Sequence, residues 1–288
     1  MINLSSDTED SFDLYKKAVA RKHNSAQKTE LLSIEQQVGK RYVEYKRHFD
    51  SNTIEQLNQS EVGQEHKEVL SDLYSSDAVI IKHFRERFFQ RNSQSYNNLC
   101  PYCSINEANT TDHILPKDDY PEYAIDTLNL IPACSNCNSL KGDDVVNDKG
   151  KKVTINFYRD TLPKEQYLYV NFQIKGTNIK ATYDIHNNGS IRDDLYALIK
   201  RHFDKLRLIE RFNYKAIQEL SELTNLYFLE ELNSEEEYKI FAAKQLKKTE
   251  MDKLSLGYNH WKVILYQSAA TSDVFKSFIL ASYGRKHS

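Results

Sequence analysis

The chain has 288 residues, of which 40% are hydrophobic and 28% are charged, a composition typical of folded globular proteins with one or two domains. Its 39 Lys and Arg side chains nearly balance 41 Asp and Glu, so the net charge indicates no class of partner. No apolar run approaches the roughly 20 residues that cross a bilayer, and the first residues lack the basic-then-apolar order of a secretory signal. We therefore expect a cytoplasmic protein without a membrane segment.

The first third of the sequence predicts helices. Residues 12–49 are rich in Lys, Glu, Ala and Leu, and Gly39 is expected to interrupt them. A further helix is predicted to begin at a cap formed by Ser76 or Asp77 and to run to about Arg91. One face of that helix carries apolar side chains at helical spacing: Ile80, Ile81, Phe84 and Phe88.

All four cysteines of the chain lie in one short stretch and form two C-x-x-C pairs, Cys100 with Cys103 and Cys134 with Cys137. A two-residue gap lets both thiolates of a pair face one ion at about 2.3 Å, and two pairs complete a tetrahedron. Disulfide frameworks instead scatter cysteines over secreted chains. The spacing therefore predicts a structural zinc site, with four reduced thiols or two local disulfides as the alternatives.

The last part of the sequence predicts a β-hairpin followed by helices. Apolar and polar side chains alternate over 167–174 and again over 179–185, and the intervening Gly176-Thr177-Asn178 is typical of a turn. From about Ile191 the apolar residues return to a helical period. Further helices are predicted over 214–229, 234–254 and 260–283.

These elements predict an α+β fold that is mostly helical, divided into three regions. A helical N-terminal region covers 1–95, and a central metal-binding module covers 96–150. A β-hairpin plus a helical C-terminal region covers 151–288.

A group of polar residues stands between and directly after the cysteine pairs. Asp112 and His113 are adjacent, Asn129 follows sixteen residues later, and Asn138 comes immediately after the last cysteine. This ordered combination resembles the zinc-knuckle branch of the HNH endonucleases, over about residues 97–145. The resemblance implies the ββα-metal fold of that family. Asn138 stands where the family name has a second His, so the chain is similar to the HNN variant, which occurs in active members.

The chemistry of these residue types agrees with the roles that the resemblance implies. Phosphodiester hydrolysis needs a base for water and positive charge near the phosphate. Imidazole is the side chain whose unperturbed pKa lies near neutrality, so His113 suits the base. On a strand, Asp112 points to the opposite face and is free to serve a metal ion. In the family the Asp binds the catalytic ion, the His is the base, and Asn129 would hold the loop that bears the His.

The ligands implied for the catalytic ion are hard oxygen donors. The Asp112 carboxylate and the Asn138 amide carbonyl suit Mg²⁺ or Mn²⁺. Lys141, one helical turn after Asn138, is a candidate for binding a substrate phosphate as a point charge. The equally weighted alternative for Lys141 is a solvated surface lysine.

Local charge bears on how a nucleic acid would be held. Between residues 100 and 145 there are eight acidic side chains and two lysines, so this module alone does not attract a polyanion. Lys and Arg exceed Asp and Glu over 81–91 and over 200–215, which makes these flanking segments candidates for substrate contact. Solvated faces of amphipathic helices are the alternative for each.

The predicted function is that of a metal-dependent endonuclease acting on DNA, with RNA left open as a substrate. Stand-alone HNH proteins with helical flanks are similar to effectors of bacterial anti-phage systems, such as the HNH subunit of Septu-type pairs. That subunit works with an ATPase, so the resemblance implies a partner of that kind. The alternative function is a zinc-stabilised nucleic-acid-binding or adaptor subunit without catalysis.

Overall fold

A computed structural model describes residues 1–23, 25–74, 79–92, 98–232 and 234–286. Its helices and two small antiparallel sheets confirm the α+β, mostly helical class. The chain divides into two compact units. One unit is Asn3–Thr161, and the other is the chain from Leu162 onward together with Met1–Ile2. The regional boundaries at 95 and 150 stay predictions.

The first unit contains the helices of the N-terminal region and both cysteine pairs. Strand β1 pairs antiparallel with β2, so that Asp112 lies opposite Ile131 and His113 opposite Leu130. Helix α7 follows β2 directly and completes a ββα order. The elements are α1 (Ser11–Arg21), α2 (Ser25–Ser33), α3 (Glu35–Asp50), α4 (Glu61–Glu65), α5 (Lys67–Ser71), α6 (Val79–Arg91), β1 (Thr110–His113), β2 (Leu130–Ala133) and α7 (Ser135–Lys141), with 3₁₀ turns at Ile54–Gln56 and Pro121–Tyr123.

The predicted interruption at Gly39 is wrong, because α3 runs through this residue. The helical stretch is broken instead after Arg21 and at Ile34. A Cβ atom on Gly39 would lie 2.8 Å from Cζ of Phe12. The glycine therefore serves close packing of α1 against α3, and this contact outweighs its low helix propensity.

Helix α6 confirms the predicted apolar face, since all four of its predicted core side chains are buried. The proposed capping residues Ser76 and Asp77 lie outside the described residues. The C-terminal half of α6 is tied to the start of the chain, where Arg87 donates to Asp7 at 2.6 Å and Arg91 donates to the same carboxylate at 3.2 Å. The Asp7 side chain is 2% exposed, so this is a buried anchor for the helix.

Helices of the N-terminal region hold the loop that connects β1 to β2. Glu122 in this loop is buried, and its Oε1 accepts from Arg41 Nε at 2.9 Å and from Ser60 Oγ at 2.6 Å. A Cβ atom on Gly63 would lie 2.2 Å from Glu122 Oε2, so only glycine allows this approach. The loop therefore depends on side chains far from it in sequence.

The second unit contains the predicted hairpin and five helices among its described residues. Its elements are β3 (Leu168–Lys175), β4 (Asn178–Ile185), α8 (Asp193–Lys205), α9 (Leu208–Leu229), α10 (Glu235–Leu256), α11 (Trp261–Thr271) and α12 (Asp273–Lys286). Asn178 pairs with Lys175, so the turn consists of Gly176 and Thr177 alone. The single helix predicted over 260–283 is two helices, because the backbone of Ser272 is extended.

Helix α9 also begins six residues earlier than predicted, directly after Arg207, whose φ of 51° separates it from α8. Within the described parts of the chain, no helix combines the length and the apolar character needed to cross a membrane.

Candidate active site

The four cysteine sulfurs form one buried cluster in which all ligand atoms lie within 4.8 Å of one another. Cys103 Sγ and Cys134 Sγ are 3.9 Å apart. A tetrahedron with metal–sulfur bonds of about 2.3 Å has sulfur–sulfur distances of about 3.8 Å, so the cluster has the size of a metal site. None of the four cysteines forms a disulfide, and the alternative of two local disulfides is therefore wrong.

Short-range backbone contacts shape each cysteine pair. The backbone N–H of Ile105 donates to Cys103 Sγ at 3.4 Å, and that of Cys137 donates to Cys134 Sγ at the same distance. Such bonds favour the thiolate form, which is the form that binds metal. Ser104 takes a left-handed φ of 53° directly after the first pair. Both pairs thus have the local geometry of metal-binding knuckles.

Three of the predicted site residues line one open cleft of about 590 Å³. Asp112 and His113 reach it from β1, and Asn138 reaches it from α7. Asn129 and Lys141 are buried and do not line the cleft. The helical N-terminal region supplies further lining residues: Tyr74, which the sequence reasoning did not assign to the site, and Ile81 and Arg85 from the segment 81–91 that was a candidate for substrate contact.

His113 is held in a defined orientation at the cleft. Its Nε2 lies 2.9 Å from the carbonyl oxygen of Ala124, and the edge of the Tyr74 ring packs against it with 4.6 Å between the centroids. Because a carbonyl oxygen only accepts, the neutral ring carries its proton on Nε2 and a lone pair on Nδ1. Burial lowers the pKa of His113 to about 4, which keeps the imidazole neutral at physiological pH. The ring is therefore in the form that accepts a proton.

Asn129 ties together the two ends of the loop around His113. Its Oδ1 accepts from Leu115 N at 2.7 Å and from Tyr45 OH at 3.1 Å. Its Nδ2 donates to the carbonyl oxygens of Leu115 at 3.0 Å and Tyr123 at 3.3 Å. Leu115 lies just after His113 and Tyr123 just before Ala124, so the amide fixes both the histidine and the carbonyl that orients it.

We expect Asn129→Ala to destabilise the first unit by about 3 kcal/mol, because buried backbone groups of Leu115 and Tyr123 lose their hydrogen-bond partners. Urea unfolding followed by tyrosine fluorescence measures this loss. The control is Asn136→Ala, which changes an exposed asparagine in α7. Equal stabilities of the two variants would contradict the role of Asn129 as a tie across the loop.

Asp112 is buried, and its carboxylate contacts two other buried side chains. Tyr102 OH donates to Asp112 Oδ2 at 2.6 Å, and Lys141 Nζ lies 3.4 Å from each carboxylate oxygen. Burial raises the pKa of Asp112, while the charge of Lys141 and the bond from Tyr102 act in the opposite direction. The carboxylate is thus positioned by two side chains that the cysteine pairs bring to it.

The structure does not place Lys141 where a phosphate contact was predicted. The residue is 1% exposed, and its Nζ donates to the carbonyl oxygen of His113 at 2.8 Å. Because the ammonium is surrounded by protein oxygens, it balances the Asp112 charge inside the module. The surface-lysine alternative fails for the same reason.

Most basic side chains of the segment 81–91 are hydrogen-bonded to other groups of the protein. Arg85 donates to the carbonyl oxygens of Ala108 and Thr110 next to β1, and Arg87 and Arg91 bind Asp7 as described above. Of the four basic side chains in this segment, Lys82 alone is classed as exposed. The segment therefore supports β1 and the N-terminus more than it offers a charged face.

The donors that line the cleft fit a hard divalent cation. Asn138 Nδ2 is 3.5 Å from Thr110 Oγ1, an orientation that leaves the Asn138 carbonyl oxygen as a donor for an ion. Asp112 offers a carboxylate in the same cleft. Oxygen donors of these two kinds are those preferred by Mg²⁺ and Mn²⁺.

Asp126, in the loop before Asn129, gives the first unit a pH-dependent stability. The residue is 1% exposed, and burial raises the pKa of its carboxyl from 3.8 to about 6. The folded state thus holds this proton more tightly than the unfolded state, so the free energy of unfolding falls as the pH rises through this range. Asp126→Asn removes this titration, and its stability relative to the wild type should rise by about 1 kcal/mol between pH 5 and pH 7.5.

Urea unfolding at both pH values measures that change, with the exposed Asp118→Asn as the control. A gap between Asp126→Asn and the wild type that stays constant with pH would contradict the assignment.

Comparisons with known proteins agree with this geometry. Residues 100–144 match the family model described as HNH endonuclease. Over 194 residues the chain is 26% identical to Protein ea31 of Escherichia phage lambda, covering 63% of this chain and 64% of that protein. Over 89 residues it is 36% identical to Septu protein PtuB of Bacillus thuringiensis, covering 29% and 33%.

The chain thus spans less than two thirds of the length of each of these two relatives. No solved structure matches it significantly. The family match falls on the ββα elements, the cysteine cluster and the cleft residues together. Residues 100–144 are therefore similar to an HNH endonuclease domain both in sequence and in the ββα order of their elements.

Proposed function

We propose that this protein is a metal-dependent endonuclease that hydrolyses phosphodiester bonds in DNA. The observation that carries the proposal is the His113 imidazole, held by the Ala124 carbonyl, in the same cleft as Asp112 and Asn138. A proton acceptor beside two hard oxygen donors is what hydrolysis of a phosphodiester needs. The match of residues 100–144 to the HNH family supports the same chemistry.

In the proposed reaction, His113 Nδ1 takes a proton from water as the water oxygen attacks phosphorus. The bond between phosphorus and the 3′ oxygen breaks, and that oxygen takes a proton from solvent, which leaves 5′-phosphate and 3′-hydroxyl ends. Mg²⁺ or Mn²⁺ held by Asp112 and Asn138 would stabilise negative charge on the phosphate and on the leaving oxygen. Asn129 keeps the base in place through the loop.

We propose that the cysteine cluster holds zinc and has a structural role. Four thiolates complete a tetrahedral shell and leave no position open for water. The buried cluster joins the first knuckle to the start of α7, so metal binding there stabilises the module that carries Asp112.

We further propose that the protein acts in anti-phage defence in the cytoplasm with a partner such as an ATPase. The similarity to Septu protein PtuB supports this role. Two further observations support the need for a partner. Acidic side chains outnumber basic ones in the module, and Arg85, Arg87 and Arg91 are hydrogen-bonded to other parts of the protein. Because most of these arginines are hydrogen-bonded within the protein, the nuclease would depend on a partner for tight binding of DNA.

The test incubates purified protein with supercoiled plasmid and with single-stranded RNA, in Mg²⁺, Mn²⁺ or EDTA. We expect metal-dependent cleavage of the plasmid that is lost in Asp112→Ala and kept in the control Asp148→Ala, an exposed residue outside the cleft. Asp112→Ala that cuts like the wild type would contradict the proposal. Plasmid that is bound but left intact, with and without an extract of the native cells, would favour the binding or adaptor subunit.

A further inference from the structure

Asp112 is contacted by one side chain from the segment of each cysteine pair. Tyr102 lies between Cys100 and Cys103 in the first pair, and its hydroxyl reaches Asp112 Oδ2 at 2.6 Å. Lys141 ends α7, the helix that begins at the second pair and contains Cys137. The metal-binding cluster and the cleft are therefore joined by direct side-chain contacts.

The two carboxylate oxygens of Asp112 are held unequally. Oδ2 accepts the short bond from Tyr102 and lies 3.4 Å from Lys141 Nζ. Oδ1 lies 3.4 Å from the same ammonium, and the backbone N–H of His113 donates a further hydrogen bond to the carboxylate. Oδ2 therefore accepts the short bond from Tyr102, and the carboxylate belongs to a residue that lines the cleft.

Tyr102 is suited to act as a rigid donor. Its side chain is 2% exposed and its ring packs against Phe157 with 5.8 Å between the centroids. Its hydroxyl donates to the Asp112 carboxylate, which has only acceptor oxygens when ionised, over a short distance of 2.6 Å. A donor fixed on the knuckle sets the direction in which the Asp112 carboxylate faces.

We propose that Tyr102 is a positioning residue that orients the Asp112 carboxylate for the catalytic ion and thereby links the cysteine cluster to metal binding in the cleft. The proposal rests on the proposed function, in which Asp112 is a ligand of that ion. A carboxylate held in place by a hydrogen bond loses less freedom when it binds a metal. Removal of such an outer partner typically weakens metal affinity by about 10- to 100-fold.

The experiment measures Mn²⁺ binding by electron paramagnetic resonance on the full-length, zinc-loaded protein, with no nuclease assay involved. Tyr102→Phe removes the hydroxyl and keeps the ring contact with Phe157. Its control is Tyr158→Phe, which removes a hydroxyl that donates to the Leu130 carbonyl at 2.7 Å and does not touch Asp112. Asp112→Ala gives the Mn²⁺ signal expected when the proposed carboxylate ligand is missing. Zinc content and melting temperature are recorded for every variant.

We expect Tyr102→Phe to raise the dissociation constant for Mn²⁺ about tenfold or more while the zinc content stays that of the wild type. Tyr158→Phe should bind Mn²⁺ as the wild type does. Wild-type Mn²⁺ affinity in Tyr102→Phe, with binding lost in Asp112→Ala, overturns this inference and leaves the proposed function standing.

Two other outcomes also decide the matter. Loss of zinc in Tyr102→Phe would mean that the hydroxyl supports the knuckle itself, which overturns the positioning role. Normal Mn²⁺ binding in Asp112→Ala overturns both the inference and the assignment of Asp112 as the ligand.

Discussion

His113→Ala should lower the rate of plasmid cleavage by about 10²- to 10⁴-fold, because a positioned general base contributes a factor of that size. The loss should not depend on metal concentration, since no ion replaces the missing proton acceptor. Asp112→Ala should fail by another route, through weakened ion binding, and excess Mn²⁺ should restore part of its activity. Single-turnover cleavage rates over a range of Mn²⁺ concentrations separate the two cases.

The fold of His113→Ala should remain intact. Among the described residues, the imidazole hydrogen-bonds to the Ala124 carbonyl and packs against the Tyr74 ring, and the cysteine cluster is complete without it. Zinc content and circular dichroism check this expectation, and His83→Ala, an exposed histidine on α6, is the matched control. Cleavage that survives in His113→Ala would end the catalytic interpretation of the HNH domain.

Cys134→Ser should lose about one zinc ion per chain and most of the soluble yield. Structural zinc sites contribute about 10 kcal/mol or more to folding, which is comparable to the entire stability of a typical domain. The cluster is buried and holds the first knuckle beside the start of α7, so its loss should loosen the whole module. Zinc analysis by mass spectrometry and thermal melting measure the effect.

The matched control is Ser135→Ala, the next residue in the chain, which is exposed. It should keep its zinc and its melting temperature. Cys134→Ser with a full equivalent of zinc and unchanged melting would contradict binding of one ion by all four cysteines.

Several helices and strands could be predicted because they depend on residues close together in the sequence. The buried face of α6 and the paired strands β3 and β4 follow from the spacing of apolar residues along a few turns or strand pairs. Gly39 was predicted wrongly for the opposite reason. Its neighbour Phe12 lies far back in the sequence, and that contact decides that the helix continues.

The kinds of groups at the candidate site, and their order along the chain, follow from residue types and spacing. Two C-x-x-C pairs bring four sulfurs within reach of one ion, and Asp112 and His113 are neighbours on one strand. These relations depend on backbone geometry over a few residues, so spacing is enough to predict them.

Which charged side chains face the cleft depends on the packing of distant segments and could not be read from spacing. Lys141, Arg85 and Arg87 look like free cations in the sequence, yet each is paired with an oxygen from a distant segment. Tyr74 and Tyr102 gain their contacts with His113 and Asp112 in the same way. Burial makes an unpaired charge or hydroxyl costly, so folding selects these partners, and their identity depends on which segments pack together.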